Sequence, residues 1–158
     1  MKRARIIGFD DYTYDKFLVT FGDLLGEQGH PVRTTVAEMG PLLLACLLVL
    51  SETQEGIINI AFRLSDEEGL PLLDLKDLRA LLVWIGEHAK ELSLRYGNVS
   101  SSSIGAIQRR LLVLENQGGK SLFGEPALEL SDIIRTDADG REVINLLAAD
   151  QLMASPGL

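Results

Sequence analysis

A chain of 158 residues suits one domain, able to bury roughly 70% of the surface its unfolded form exposes. With 46% hydrophobic but only 6% aromatic residues, its core is built mainly from leucine and isoleucine, a composition that favours helices. Fifteen Lys plus Arg against 23 Asp plus Glu give a formal net charge of -8, which excludes a broadly electropositive surface for a nucleic-acid backbone.

At the N-terminus Lys2, Arg3 and Arg5 imitate the basic start of a signal peptide, but "IIGFDDYTYDK" brings acids where a long apolar region belongs. A cytoplasmic location is the expectation. "FLVTFGD", Phe17 to Asp23, is rich in β-branched and aromatic residues and predicts a strand. "LLGEQGHPVR" follows with two glycines and a proline, the composition of an irregular loop. Within it Glu27, His30 and Arg33 gather an acid, a switchable imidazole and a guanidinium after a strand. Loops so placed often carry function, so these three are candidate site residues, set against a solvated surface loop.

Helical periodicity begins near Thr35. The apolar run 41–50 predicts a short core helix holding the single cysteine, Cys46, as a buried thiol. Ten residues are too few to span a membrane, which takes about 20. Ser51 and Gln54 have capping-box spacing, and Ile57, Ile60, Ala61 and Leu64 form the stripe of the next helix, which ends at "SDEEG". From Asp74, a candidate N-cap, Leu75, Leu78, Leu82, Ile85, Ala89, Leu92 and Tyr96 trace one continuous helical face to Gly97-Asn98. After the serine run, Ile104, Ile107, Leu111 and Leu114 repeat the pattern. Short connections between amphipathic helices favour antiparallel packing, so residues 36–117 read as a helical bundle.

"LENQGGKSLFGE", residues 114–125, ends like a phosphate-binding loop at Gly119-Lys120-Ser121. The G-x-x-x-x-G-K-[ST] pattern needs glycine where Leu114 stands, and the loop should open a helix, not close one. The expected structure is a helix stop with Gly118 or Gly119 left-handed, followed by a flexible turn. Beyond Gly124, "EPALELSDIIRT" predicts a short strand and a turn of helix, and "DADGR" a turn. "EVINLLAAD" predicts a strand buried on both faces, with the start of a helix in 151–158.

Other constellations carry little. Asp137 to Gly140 resembles part of a calcium loop, but the alignment puts Arg135 first and Leu146 twelfth, where carboxylates belong. His30 and His88 lack a second His or Cys at ligand spacing, so no metal site is expected. Arg109, Arg110 and Lys120 form a small basic patch that reads as a solvated face, and Asn98-Val99-Ser100 fits a glycosylation pattern that a cytoplasmic chain does not use. No catalytic residues stand out.

Longer blocks are more specific. "GEQGHPVRTTVAEMGPLLLACLL", "ETQEGIINIAFRLSDEEGLPLLDLKDLRALL", "YGNVSSSSIGAIQRRLLVLENQGG" and "FGEPALELSDIIRTDADGREVINLLAADQLM" closely resemble the HerA-like family of bacterial P-loop ATPases, in the FtsK and HerA group of ring-forming motors. The resemblance implies a RecA-like α/β core, usually hexameric, that couples ATP hydrolysis to movement along DNA or to remodelling and is interrupted by a mostly helical insertion. It implies a mainly α chain: partial core in 1–35, helical insertion in 36–117, and partial core in 118–158. The phosphate-binding loop is expected before residue 1 and the strand with the magnesium-holding acids after residue 158. Lys120 departs from the family pattern, which commonly has an acid there. ATP and Mg2+ are then cofactors of the parent, not of this chain, which is expected to be inactive alone. The partners implied are further copies, as a parent hexamer or a fragment dimer or higher, and DNA only through the parent. The competing expectation is a stand-alone helical module for oligomerisation or protein interaction.

Overall fold

The computed structural model describes residues 2–9, 13, 15–24 and 26–148. A short helix α1 (Lys2–Ile6) precedes strand β1 (Val19–Asp23), the two-residue β2 (His30–Pro31) and helices α2 (Val36–Leu47), α3 (Glu52–Glu68), α4 (Leu75–Glu87), α5 (Ala89–Tyr96) and α6 (Ser101–Leu114). A π-helical turn over Glu115–Gly119, the short helices α7 (Lys120–Leu122) and α8 (Leu130–Ile133), and strand β3 (Ile144–Ala148) complete it. The helix start expected in 151–158 lies outside the described residues.

Local chemistry explains most boundaries. α2 begins five residues before the predicted start: Thr35 Oγ1 accepts from the Glu38 N–H at 3.1 Å while a Glu38 carboxylate oxygen accepts from the Thr35 N–H at 3.2 Å. Pro41 does not start this helix; it follows a break at Gly40, whose backbone is non-helical. At the head of α3, Gln54 Oε1 accepts from the Ser51 N–H at 3.1 Å, and Gly69 ends the helix left-handed. Asp74 Oδ1 caps α4 through the N–H groups of Lys76 and Asp77, at 2.7 and 3.1 Å.

α3 is the hub of the helical part, packing on α2, α4 and α6. Its buried stripe is Ile57, Ile58, Ala61 and Leu64; the predicted Ile60 packs against the same core but is only partly buried. Leu75, Leu78, Leu82, Ile85 and Leu92 are buried as their spacing predicts, and so are Ile104, Ile107, Leu111 and Leu114. The predicted continuous helix 75–96 is two helices. His88 leaves helical geometry, and its Nδ1 lies 2.9 Å from the Trp84 carbonyl, an oxygen that also accepts the His88 N–H. The stripe passes through the bend unbroken, which is why periodicity hid it.

Cys46 is exposed, correcting the buried thiol expected. α2 is apolar nearly all round, but only Val36, Leu44 and Ala45 are buried within it, so Leu42, Leu43 and Cys46 fall on its outer side. Just beyond, exposed Val49 has φ 51°, a left-handed conformation strained for a β-branched residue.

The glycine turn after α6 departs from expectation in one respect. Gly118 is left-handed as predicted, with φ 99°, but the turn is packed rather than flexible. Gly119 is buried so tightly that an added Cβ would sit 2.7 Å from Leu114 Cγ and 2.8 Å from its carbonyl oxygen. Glu115 is buried as well.

The sheet has the order β2-β1-β3 and is parallel throughout. Val19 to Asp23 pair residue by residue with Ile144 to Ala148, joining strands more than a hundred residues apart. β3 is not buried on both faces, because it forms an edge of the sheet among the described residues and Ile144, Leu146 and Leu147 are all exposed. Val19 and Phe21, across from Ile144 and Leu146 on the same face, are exposed too. The strand expected in 125–136 is absent; Thr34 bridges Phe123, and Thr136 bridges Glu142 across the "DADG" turn. There Asp137 Oδ1 accepts from the N–H groups of Asp139 and Arg141, both at 2.9 Å.

Candidate functional site

Parallel strands end at a common edge, and ligands of open α/β sheets bind beyond their carboxyl ends. Here that edge carries Asp23, the last residue of β1. Its side chain is buried, and Oδ2 accepts from the N–H groups of Glu27 and Gln28, at 2.7 and 2.8 Å. The carboxylate thereby ties Glu27 and Gln28 to the end of β1, and the chain returns beside that strand. The return admits only glycine at 29, since a Cβ there would lie 2.6 Å from the Phe21 carbonyl oxygen. His30 and Pro31 then pair with Gly22 and Asp23.

This geometry separates the three loop candidates. Glu27 is exposed in the loop. His30 lines an open cleft of about 410 Å³ against the face of the sheet that carries Thr20, Gly22 and Asn145, roofed by α8 and its flanks. Arg33 is carried past β2: its Nη1 donates to the Glu125 carbonyl at 3.0 Å and its own carbonyl accepts from the Leu128 N–H at 2.8 Å. Its buried Nε makes no hydrogen bond among the described residues. Arg33 is therefore a strap between the 122–128 segment and the sheet, and it does not join His30 in the cleft.

The cleft's other polar residues lay beyond sequence reasoning. Arg135 Nη2 donates to Thr20 Oγ1 at 3.0 Å, and Asn145 Nδ2 donates to the Ile133 carbonyl at 2.8 Å. Both tie the 128–135 segment to the sheet. Asp132, also lining the cleft, accepts from the Glu129 N–H at 3.1 Å to start α8. The polar groups around His30 are thus largely spent on holding the cleft's own walls. The sequence signal for Asp23 was the Gly-Asp pair at the strand end; Arg135 and Asn145 carried none.

Two charge clusters brace the fold outside this edge. Asp15 is held below the usual carboxylate range by the Lys16 backbone N–H and then by Arg141, whose Nη1 lies 3.0 Å away. Glu67 is likewise lowered, by hydrogen bonds from Arg63 and Tyr96 and by the charge of Arg95; Arg63 Nε is at 2.6 Å and Arg95 Nη2 at 2.8 Å. Tyr96 is raised, by burial first and by its bond to Glu67 second.

The phosphate-loop mimic is a structural turn. Lys120 Nζ lies 3.9 Å from Glu115, whose carboxylate also receives Arg79 at 3.2 Å. The lysine thus faces its own chain's acid. Among the described residues no three His, Cys, Asp or Glu side chains converge as metal ligands. Arg109 and Arg110 are exposed on α6.

Helices around one hub beside a small all-parallel sheet define a mainly helical protein with an α/β element. No described helix is long and apolar enough to cross a membrane. The chain belongs to the helicase HerA-like C-terminal family, whose model matches residues 1–158, the whole chain. No curated protein and no solved structure matches it.

Proposed function

We propose that these 158 residues are a non-catalytic section of the ATPase core of a HerA-like motor. β1 and β3 contribute core strands, residues 36–117 are the helical insertion, and residues 1–35 and 118–158 are parts of the core. ATP and Mg2+ serve the parent protein, whose phosphate loop and magnesium-holding acids are supplied by other parts of it. DNA is engaged only through that parent, as suits the net charge of -8. The protein works in the cytoplasm, and its copies associate, as a ring of the parent or as a dimer or larger assembly of this chain.

The observation that supports this most is the whole-chain family match. It is joined by the parallel pairing of β1 with β3, strands that need a long intervening crossover. Phosphoryl transfer requires a phosphate cradle, a metal ligand and a positioned water, and Lys120 lies in a packed turn 3.9 Å from the Glu115 carboxylate. Phosphate release from Mg-ATP by the isolated chain tests the reading: a rate equal to buffer is expected, and turnover that scales with protein concentration refutes it.

A second reading, an oligomerisation or interaction module, is favoured by the exposed apolar residues Leu42, Leu43 and Val49 on and just after α2. The two readings are compatible, since an insertion that binds copies serves a motor as well.

A further inference from the structure

We propose that the cleft between the sheet and the 128–135 segment binds a small apolar zwitterion, a free amino acid or a short peptide with an apolar side chain. This ligand is unrelated to the nucleotide of the parent protein, so the site stands or falls apart from the ATPase reading.

The cleft encloses about 410 Å³, within the range of small-molecule sites, about 300–1,000 Å³. Its open floor comes from Gly22. A Cβ there would meet Val32 Cγ2 at 2.9 Å and Leu147 Cδ1 at 3.6 Å, so these two side chains flank the space that the glycine leaves. Leu128 extends the apolar lining, and Leu128 and Leu147 are both exposed.

The roof over this lining holds two opposite charges. Asp132 and Arg135 both line the cleft, yet neither forms an ion pair with the other or with any described residue. Arg135 spends Nη2 on Thr20 Oγ1 at 3.0 Å, which fixes the guanidinium and leaves Nη1 and Nε without partners among the described residues. Asp132 accepts from the Glu129 N–H through Oδ2 alone, at 3.1 Å. From the sheet, Asn145 Nδ2 donates to the Ile133 and Val143 carbonyls at 2.8 and 3.3 Å, and its Oδ1 remains an acceptor without a donor among the described residues. The His30 ring is likewise without a hydrogen bond there.

A cation and an anion fixed on one wall select against ligands of a single sign. A simple anion meets Asp132, and a simple amine meets Arg135. A molecule that carries both charges satisfies both: its carboxylate takes the free N–H groups of Arg135, its ammonium takes Asp132 and Asn145 Oδ1, and its apolar side chain lies over Gly22 against Val32 and Leu147. The bonds that tie 128–135 to the sheet hold these groups in place before a ligand arrives, so little ordering is lost on binding. The charges are exposed, which keeps the affinity modest, with a Kd on the order of 1 mM.

The test is titration of the isotope-labelled 158-residue chain with L-leucine and with leucyl-leucine, read by amide NMR shifts. Leucinamide, which lacks the carboxylate, and N-acetyl-leucine, which lacks the ammonium, are titrated beside them. Saturable shifts should cluster at Gly22, Ile133 and Asn145, and the tighter of the two zwitterions tells a free amino acid from a peptide. Each analogue should bind about fivefold or more weakly than leucine. Asp132→Asn keeps an oxygen to start α8 and removes only the charge, with circular dichroism verifying the fold. It should weaken leucine about fivefold and leave N-acetyl-leucine unchanged, a split that a loosened wall would not produce. Saturable shifts with neither zwitterion, or shifts centred elsewhere, overturn the proposal. So do analogues that bind as well as leucine, or an Asp132→Asn variant that binds leucine like wild type or loses leucine and N-acetyl-leucine alike.

Discussion

Arg79 of α4 reaches the buried carboxylate of Glu115 across the helix interface, Nη2 to Oε2 at 3.2 Å. Glu115 is the first residue of the π-helical turn, and its side chain is only 6% exposed. The pair fastens the end of α6 to the first half of α4, with Lys120 as a more distant second cation at 3.9 Å. Removing the arginine leaves the acid buried beside a mostly exposed lysine, a costly arrangement. Arg79→Met should lower stability by about 2–3 kcal/mol, read as a drop in urea midpoint with unchanged slope. Lys120→Ala should cost less than about 1 kcal/mol.

The glycine pair offers a sharper contrast. Gly118 needs its left-handed backbone, so Gly118→Ala should cost about 1 kcal/mol. Gly119 has an ordinary helical φ but no room, since its Cβ would meet Leu114 side chain and backbone. Gly119→Ala should cost about 1–3 kcal/mol through overpacking. Equal effects, measured by the same denaturation, would show that the turn is looser than this packing requires.

Val49 stores strain that substitution can release. Its side chain is 71% exposed, so little burial is lost on removing it, while its φ of 51° disfavours any β-branched residue. Val49→Gly should raise the stability by about 1 kcal/mol, seen as a higher thermal midpoint. A lower midpoint would mean that the side chain contributes packing the geometry does not reveal.

Acid should loosen the clasp between α3 and α5. Glu67 has a folded-state pKa below its ordinary value of 4.5, first through Arg63 and then through Tyr96. Its contribution is therefore present above about pH 4.5 and is lost as pH falls through the lower folded value. Glu67→Gln should flatten the stability–pH curve in that acid window and leave the neutral plateau nearly unchanged, because the group is exposed. Tyr96 works in the opposite sense: raised above 10.0, it contributes below that pH and loses the contribution as pH rises through its folded value. Urea denaturation at stepped pH resolves both limbs.

Much of the helical part was legible because periodicity and capping are local. Ile104, Ile107, Leu111 and Leu114 and the Asp74 cap sit where their spacing placed them. The break at His88 was illegible because Ile85 and Leu92 hold the same face on either side of it. Cys46 and β3 failed for another reason: an apolar run reports which residues can be buried, but not which faces find a neighbour. The edge site was legible only as the loop carrying Glu27, His30 and Arg33. Its scaffold, Asp23 tying Glu27 and Gln28 to β1 and Arg135 reaching Thr20 from 115 positions away, depends on contacts that spacing does not encode.

Despite its phosphate-loop mimic at Gly119-Lys120-Ser121, this HerA-like chain should bind no nucleotide on its own. Isothermal titration calorimetry of the 158-residue chain with Mg-ATP tests it most directly. The expected result is heat indistinguishable from dilution; a saturable isotherm with a low-micromolar Kd would contradict it.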